Sequence, residues 1–382
     1  MKRALILSGG GARAAYQVGV LQALAEILPD DNANPFPIIC GTSAGAINAL
    51  ALAAHPGNFK ESVQALATMW RSLSVGDVYR YGWYDIVKGL GLLGLSLFNQ
   101  GVGRQRPLSL LDNAPLWDLL GSRIPFHNIS HAINSGKLLA VSVSAMGYTS
   151  GHTVSFFQGH ESIQGWSRYR RAGVATPLRL EHLLASSAIP TIFPAVRINR
   201  EYFGDGALRQ LAPISPALHL GAESLFVIGV SGNRSSNKSK RLPLRHSPSM
   251  GQIVGHLLNS AFVDSLEGDL EHMALVNKLV NLIPEDKKPT DFTLRAVDNL
   301  VISPSSPLDV IAGRNVRYLP KSLRFFLRAI GATTRGGGAT AASYLLFSTE
   351  FISELMELGY QDGITDADAL KKFFSPQRHA AN

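Results

Sequence analysis

The chain has 382 residues, 46% hydrophobic and 17% charged, a balance that excludes a disordered chain and permits a large core. Thirty-six Lys and Arg against 28 Asp and Glu leave a net charge of +8, which draws the surface toward anionic partners without choosing between acidic lipid and nucleic acid. No apolar run reaches the roughly 18 residues of a membrane span, and the single cysteine, Cys40, rules out an internal disulfide.

The opening MKRALILSGGG runs straight into a core-like strand rather than a cleavable leader. With one cysteine, the expected location is the cytoplasm, with peripheral contact at the anionic inner membrane face. ALILS (4–8) is a short apolar run closed by GGGAR, and Val18, Leu21, Leu24, Ala25 and Leu28 then repeat as a helix that ends at Pro29. FPIICG (36–41) reads as a second buried strand, and SAGAINALALAA from Ser43 as a helix of small residues. Further apolar runs at 138–145, 224–231 and 299–303 recur between helical segments, which suits an α/β architecture with a mostly parallel sheet covered on both faces.

That rhythm is lost between 72 and 134, where YRYGWYDIVKGLGLLGLSLF (79–98) concentrates aromatic, Gly and Leu residues with Lys88, Arg104 and Arg106 around them, as expected of a cap or lid. Such a mixture fits a buried cap and a membrane interface equally. GNRSSNKSKRLPLRHSPS (232–249) has six basic residues, counting His246, and no acidic one, and reads as a flexible surface loop. A long helical pattern follows at 253–283. In PKSLRFFLRAIG (320–331), Leu323, Phe326, Leu327 and Ile330 share one helical face. The expected division is a catalytic domain over 1–232 with an insertion at 72–134, a basic loop over 233–250, and a mostly helical part over 251–382 packed on or continuing the catalytic domain.

GTSAG (41–45) has the G-x-S-x-G spacing of a nucleophile elbow, in which a tight strand-to-helix turn exposes a serine and aims a helix N-terminus at it. A serine hydroxyl is a weak nucleophile and needs a base within reach, with donors for the oxyanion it creates. Eleven histidines are available, but His219, His246, His256 and His272 lie in settings that do not suit a base. Asp205, between Gly204 and Gly206 at the end of a hairpin-like strand, is the alternative, since flanking glycines permit a turn that presents the carboxylate; an ordinary turn aspartate would look the same. The triple glycine could instead cradle phosphate, but neither G-x-G-x-x-G nor a following GK[ST] is present. No acidic or His/Cys cluster asks for a metal.

Four ordered blocks decide among these: SGGGARAAYQVGVLQAL (8–24), GTSAGAINAL (41–50), ASSAIPTIFPAV (185–196) and YFGDGALRQLAPISPAL (202–218). Together they resemble the patatin-like phospholipases, bacterial branch, across most of the chain. The resemblance implies a three-layer α/β fold and a Ser–Asp dyad with Ser43 as nucleophile and Asp205 as general base. It also implies an oxyanion site from the amides of Gly10 and Gly11 assisted by Arg13, with Gly9, Gly41, Gly45 and Gly206 supporting the motifs. Ala14 departs from the glycine usual after that arginine. The implied function is a phospholipase A or lysophospholipase acting on phospholipid or another fatty acyl ester, without metal or organic cofactor and without nucleic acid. Acyl transfer to another alcohol, or lipid binding without turnover, stays open beside it.

Overall fold

The apolar run at the N-terminus forms a central strand, because both of its faces can be buried. The computed structural model describes residues 2–29, 34–96, 98, 107–231, 247–284, 287–288, 292, 294–332 and 339–375. The basic stretch 233–246, the Gly-rich 335–338 and the cap residues Arg104 and Arg106 lie outside the described residues. Ten strands make one sheet: β1 (Arg3–Leu7), β2 (Ile38–Thr42), β3 (Ala140–Gly147), β4 (Thr153–Gly159), β5 (Trp166–Arg168), β6 (Arg171–Ala175), β7 (Val196–Ile198), β8 (Glu201–Asp205), β9 (Ser224–Ile228) and β10 (Asp298–Ile302). The order is β10-β9-β1-β2-β3-β4-β6-β5, and the first five of these are mutually parallel.

Strand side chains alternate between two cores, as the pleat requires. Leu5, Leu7, Ile39, Phe226 and Ile228 face one layer; Ala4, Ile6, Cys40, Leu225 and Val227 face the other. The first layer holds the helices Ala15–Ile27, Ala44–Ala54, Phe59–Arg71 and Thr349–Thr365. The second holds Ser215–His219 and Ser265–Leu282. Helices thus cover both faces, which explains why the parallel strands read as unbroken apolar runs.

The C-terminal helix Thr349–Thr365 is part of the main core. It packs on Ala15–Ile27 so closely that a Cβ on Gly359 would run into the Tyr16 carbonyl, and Tyr16 Oη donates to Asp362 Oδ2 at 2.8 Å. The cap region contributes the helices Val75–Val78, Trp83–Ser96, Ala114–Arg123 and His127–Asn134. The helical pattern at 253–283 is broken into Met250–Asn259 and Ser265–Leu282 by a π-turn, Ser260–Asp264. Among the described residues no helix is long and apolar enough to cross a membrane.

Candidate active site

Ligand sites in parallel α/β sheets lie at the carboxyl ends of the strands, and register brings the singled-out residues together there. β2 pairs with β3 up to Thr42 opposite Ser144, where the chain turns out of the sheet at Ser43. β4 continues along the other edge of β3, so the edge vacated by β2 is taken by β8, which places Asp205 opposite Ala145. Ser43 and Ala145 each stand one residue past the Thr42–Ser144 pair, so the carboxylate arrives across from the serine. The Ser43 hydroxyl donates to Asp205 Oδ2 at 2.5 Å.

Ser43 adopts φ 55°, ψ −129°, a conformation that costs about 1–3 kcal/mol in a non-glycine residue. Packing on both sides holds it there. A Cβ on Gly45 would collide with the Leu7 carbonyl at the end of β1, and one on Gly41 would approach the Gly45 carbonyl to 2.5 Å. The Ser43 amide donates to Ser186 Oγ at 2.9 Å, and Ser186 in turn donates to the Ser144 carbonyl at 2.6 Å. Ser186 thus ties the elbow to β3, a role that reading the sequence alone missed although the residue lies within the 185–196 block.

Asp205 is fully buried, with its other oxygen accepting from the Ala207 amide at 2.9 Å. Burial pushes its carboxyl from the ordinary 3.8 up to about 7, against the pull of the Ser43 and Ala207 hydrogen bonds. Gly206 packs against the Ser144 carbonyl, where a Cβ would not fit, so β8 ends hard against β3. Behind the dyad, Thr42 Oγ1 donates to Gln210 Oε1 at 2.7 Å, and Gln210 Nε2 donates to Ser144 Oγ at 3.1 Å. Thr42, Ser144 and Gln210 line a small pocket with Gly9, Gly41 and Phe262.

The glycine loop leaves β1 beside β2. Gly9 lies so near Ser43 that a Cβ there would stand 3.1 Å from the serine Cβ. Gly10 and Gly11 are buried, and their amides donate to no protein acceptor among the described residues. Two buried, uncommitted donors are costly unless a ligand oxygen uses them. The Arg13 guanidinium is engaged elsewhere: Nε donates to Ser343 Oγ at 2.7 Å, one terminal nitrogen donates to Asn259 Oδ1 at 3.3 Å, and the group stacks over the Tyr344 ring at 4.2 Å.

The C-terminal half of the chain closes the site. The Phe262 ring, on the π-turn, would come within 2.7 Å of a Gly9 Cβ and meets the Tyr344 ring at 5.1 Å. Ser43 is left only 2% exposed. Neither contact was foreseeable from a pattern that reads as one uninterrupted helix. The histidines lie apart: His219 stacks on Trp166 and bonds the Ser215 carbonyl, His256 and His272 are exposed, and His246 lies outside the described residues.

A mostly parallel α/β sheet with a serine on a strained strand-to-helix turn at its carboxyl edge defines the nucleophile-elbow class of α/β proteins. Within that class the chain belongs to the patatin-like phospholipase family, whose family model matches residues 5–218. It is also similar to a protein from Pseudomonas aeruginosa (strain BWHPSA011 / Pa011) named cGAMP-activated phospholipase, 31% identical over 217 residues. The match covers 56% of this chain, and the chain spans about half (55%) of that relative's length.

Proposed function

We propose that this protein is a lipid acyl hydrolase of the phospholipase A or lysophospholipase type, in which Ser43 is the nucleophile and Asp205 the general base. The observation that carries it is the 2.5 Å contact between Ser43 Oγ and a fully buried Asp205. In water an aspartate is too weak a base for a hydroxyl, but a carboxyl titrating near neutrality is matched to the task. Asp205 takes the serine proton as Ser43 Oγ attacks the ester carbonyl. The free amides of Gly10 and Gly11 receive the oxyanion, each such donor lowering the barrier by about 3 to 4 kcal/mol. The proton returns to the departing alcohol or lysolipid, leaving Ser43 acylated. Asp205 then activates a water that releases the fatty acid and regenerates the serine.

Arg13 serves the oxyanion loop by position: its bonds to Ser343 and Asn259 fix the chain just after Gly10 and Gly11. Acyl transfer to an alcohol other than water follows the same first half-reaction.

A fluorophosphonate probe tests the nucleophile. Wild type should be labelled and Ser43→Ala should not, whereas equal labelling of both would move the nucleophile elsewhere. Since Ser43 is covered, labelling should be slow at rest. The relative's name ties its activity to cGAMP, so adding cGAMP to the labelling reaction reads whether that ligand opens the cover here.

A further inference from the structure

Two segments that stand far apart in the chain form one surface in the fold. The helix Trp83–Ser96 touches the protein by one side only, through buried Ile86 and through Gly89, which lies against the Leu110 backbone. Several apolar side chains on it are open: Tyr84 is 76% exposed, Val87 63%, Leu95 52% and Leu90 44%. The helix Lys321–Ala329 lies beside it. Ser322 Oγ donates to the Tyr81 carbonyl at 2.5 Å, and the Trp83 and Phe325 rings meet at 5.4 Å, with Phe325 63% exposed.

A contiguous apolar patch of this kind is not left bare without a partner, and charge indicates which. Lys88, Arg317, Lys321, Arg324 and Arg328 surround it, and none pairs with a carboxylate among the described residues. The only acidic residue on the two helices is Asp85. A second copy of the chain seated on this face across a two-fold axis would bring its five cations against these five, which repels. Anionic headgroups complement them.

We propose that this two-helix face is the surface by which the protein docks on an anionic phospholipid bilayer, with Trp83, Tyr84 and Phe325 at headgroup level and Val87, Leu90 and Leu95 below. Beneath the face lies a small, almost wholly apolar pocket lined by Tyr79, Ile86, Leu323, Phe326, Leu327 and Leu345. Leu345 follows Tyr344, the residue stacked on both Phe262 and Arg13 at the glycine loop. The docking face thus adjoins the segment that meets the cover of Ser43. The lipid partner rests on the proposed lipid hydrolase function, but the docking itself is measured without turnover.

The test uses Ser43→Ala protein and sedimentable vesicles of phosphatidylcholine, with and without phosphatidylglycerol. Binding should require phosphatidylglycerol and weaken with salt. The triple change Lys321→Glu, Arg324→Glu, Arg328→Glu should weaken it at least about a hundredfold, since each cation near an anionic surface contributes about fivefold. Val87→Ser with Leu90→Ser should weaken it as well, and Phe325→Ser alone is the second, milder apolar variant. Thermal unfolding checks that each variant is folded. Undiminished binding in the folded charge and apolar variants overturns the proposal, as does a dimer in sedimentation velocity that Val87→Ser with Leu90→Ser dissolves. Docking by Ser43→Ala while wild type releases no fatty acid would sustain the docking face and fault the hydrolase function instead.

Discussion

At the scale of single residues, Asp205 is where the proposed catalysis and stability oppose one another. Its carboxyl titrates near 7 in the fold but near the ordinary 3.8 in an unfolded chain. Between those values the folded protein retains a proton that the unfolded chain has lost, so stability falls as pH rises through that window and stays lower above it. The difference corresponds to roughly 4 kcal/mol at most. Asp205→Asn removes the titration. Its thermal unfolding temperature should therefore exceed that of wild type at about pH 8 and converge with it near pH 4, while activity is lost at both; a gap independent of pH would mean that Asp205 is not held against its charge. Wild-type turnover should rise with pH through about 7 as the carboxylate forms.

That Ser43 and Asp205 meet was legible because glycines bracket both, and a glycine flank marks where backbone approaches backbone. Ser186 carried no comparable signal. A serine that bonds an amide and a carbonyl looks like any other serine until the strands around it are in place.

Among the elements, the π-turn Ser260–Asp264 was the least legible and matters most to access. One extra residue per turn rotates the downstream helix without interrupting the apolar pattern, so 253–283 reads as continuous helix. In the fold the turn carries Phe262 onto Gly9. Phe262→Ala should uncover Ser43, speeding hydrolysis of a short-chain soluble ester several-fold, at a stability cost of about 3–5 kcal/mol. An unchanged rate in the folded variant would show that another group limits entry. Arg13 stabilises the same closure. A buried guanidinium with no ion pair among the described residues is tolerable because Ser343, Asn259, the Thr340 carbonyl and the Tyr344 ring all receive it. The sequence marked Arg13 by its place beside the glycines, but its partners stand about 250 to 330 positions later and could not be paired with it by spacing.

For the whole molecule, the sheet was legible where strands are parallel: β1, β2, β3 and β9, buried on both faces, and the edge strand β10 all correspond to apolar runs. The strands β4 to β8, joined to the rest by antiparallel pairings, were less so; β5 to β8 are short or partly exposed, and only the hairpin ending at Asp205 carried a turn signal. The order of the strands was beyond the residues altogether. It depends on β8 occupying the edge of β3 that β2 leaves at the elbow, a long-range pairing that also assembles the site. The C-terminal helices, which read as an extension, share the main core through Tyr16, Asp362 and Gly359, so fold and cover are built from the same segment.

The most direct test of the account is fatty-acid release from mixed phospholipid vesicles, with chelator present, by wild type, Ser43→Ala and Asp205→Asn. The account predicts release by wild type that falls by at least about a thousandfold in each variant, as expected when either half of a nucleophile–base pair is removed. Release that survives Asp205→Asn at the wild-type rate would contradict the aspartate as base, and no release by the wild type on any vesicle would contradict the lipid hydrolase itself.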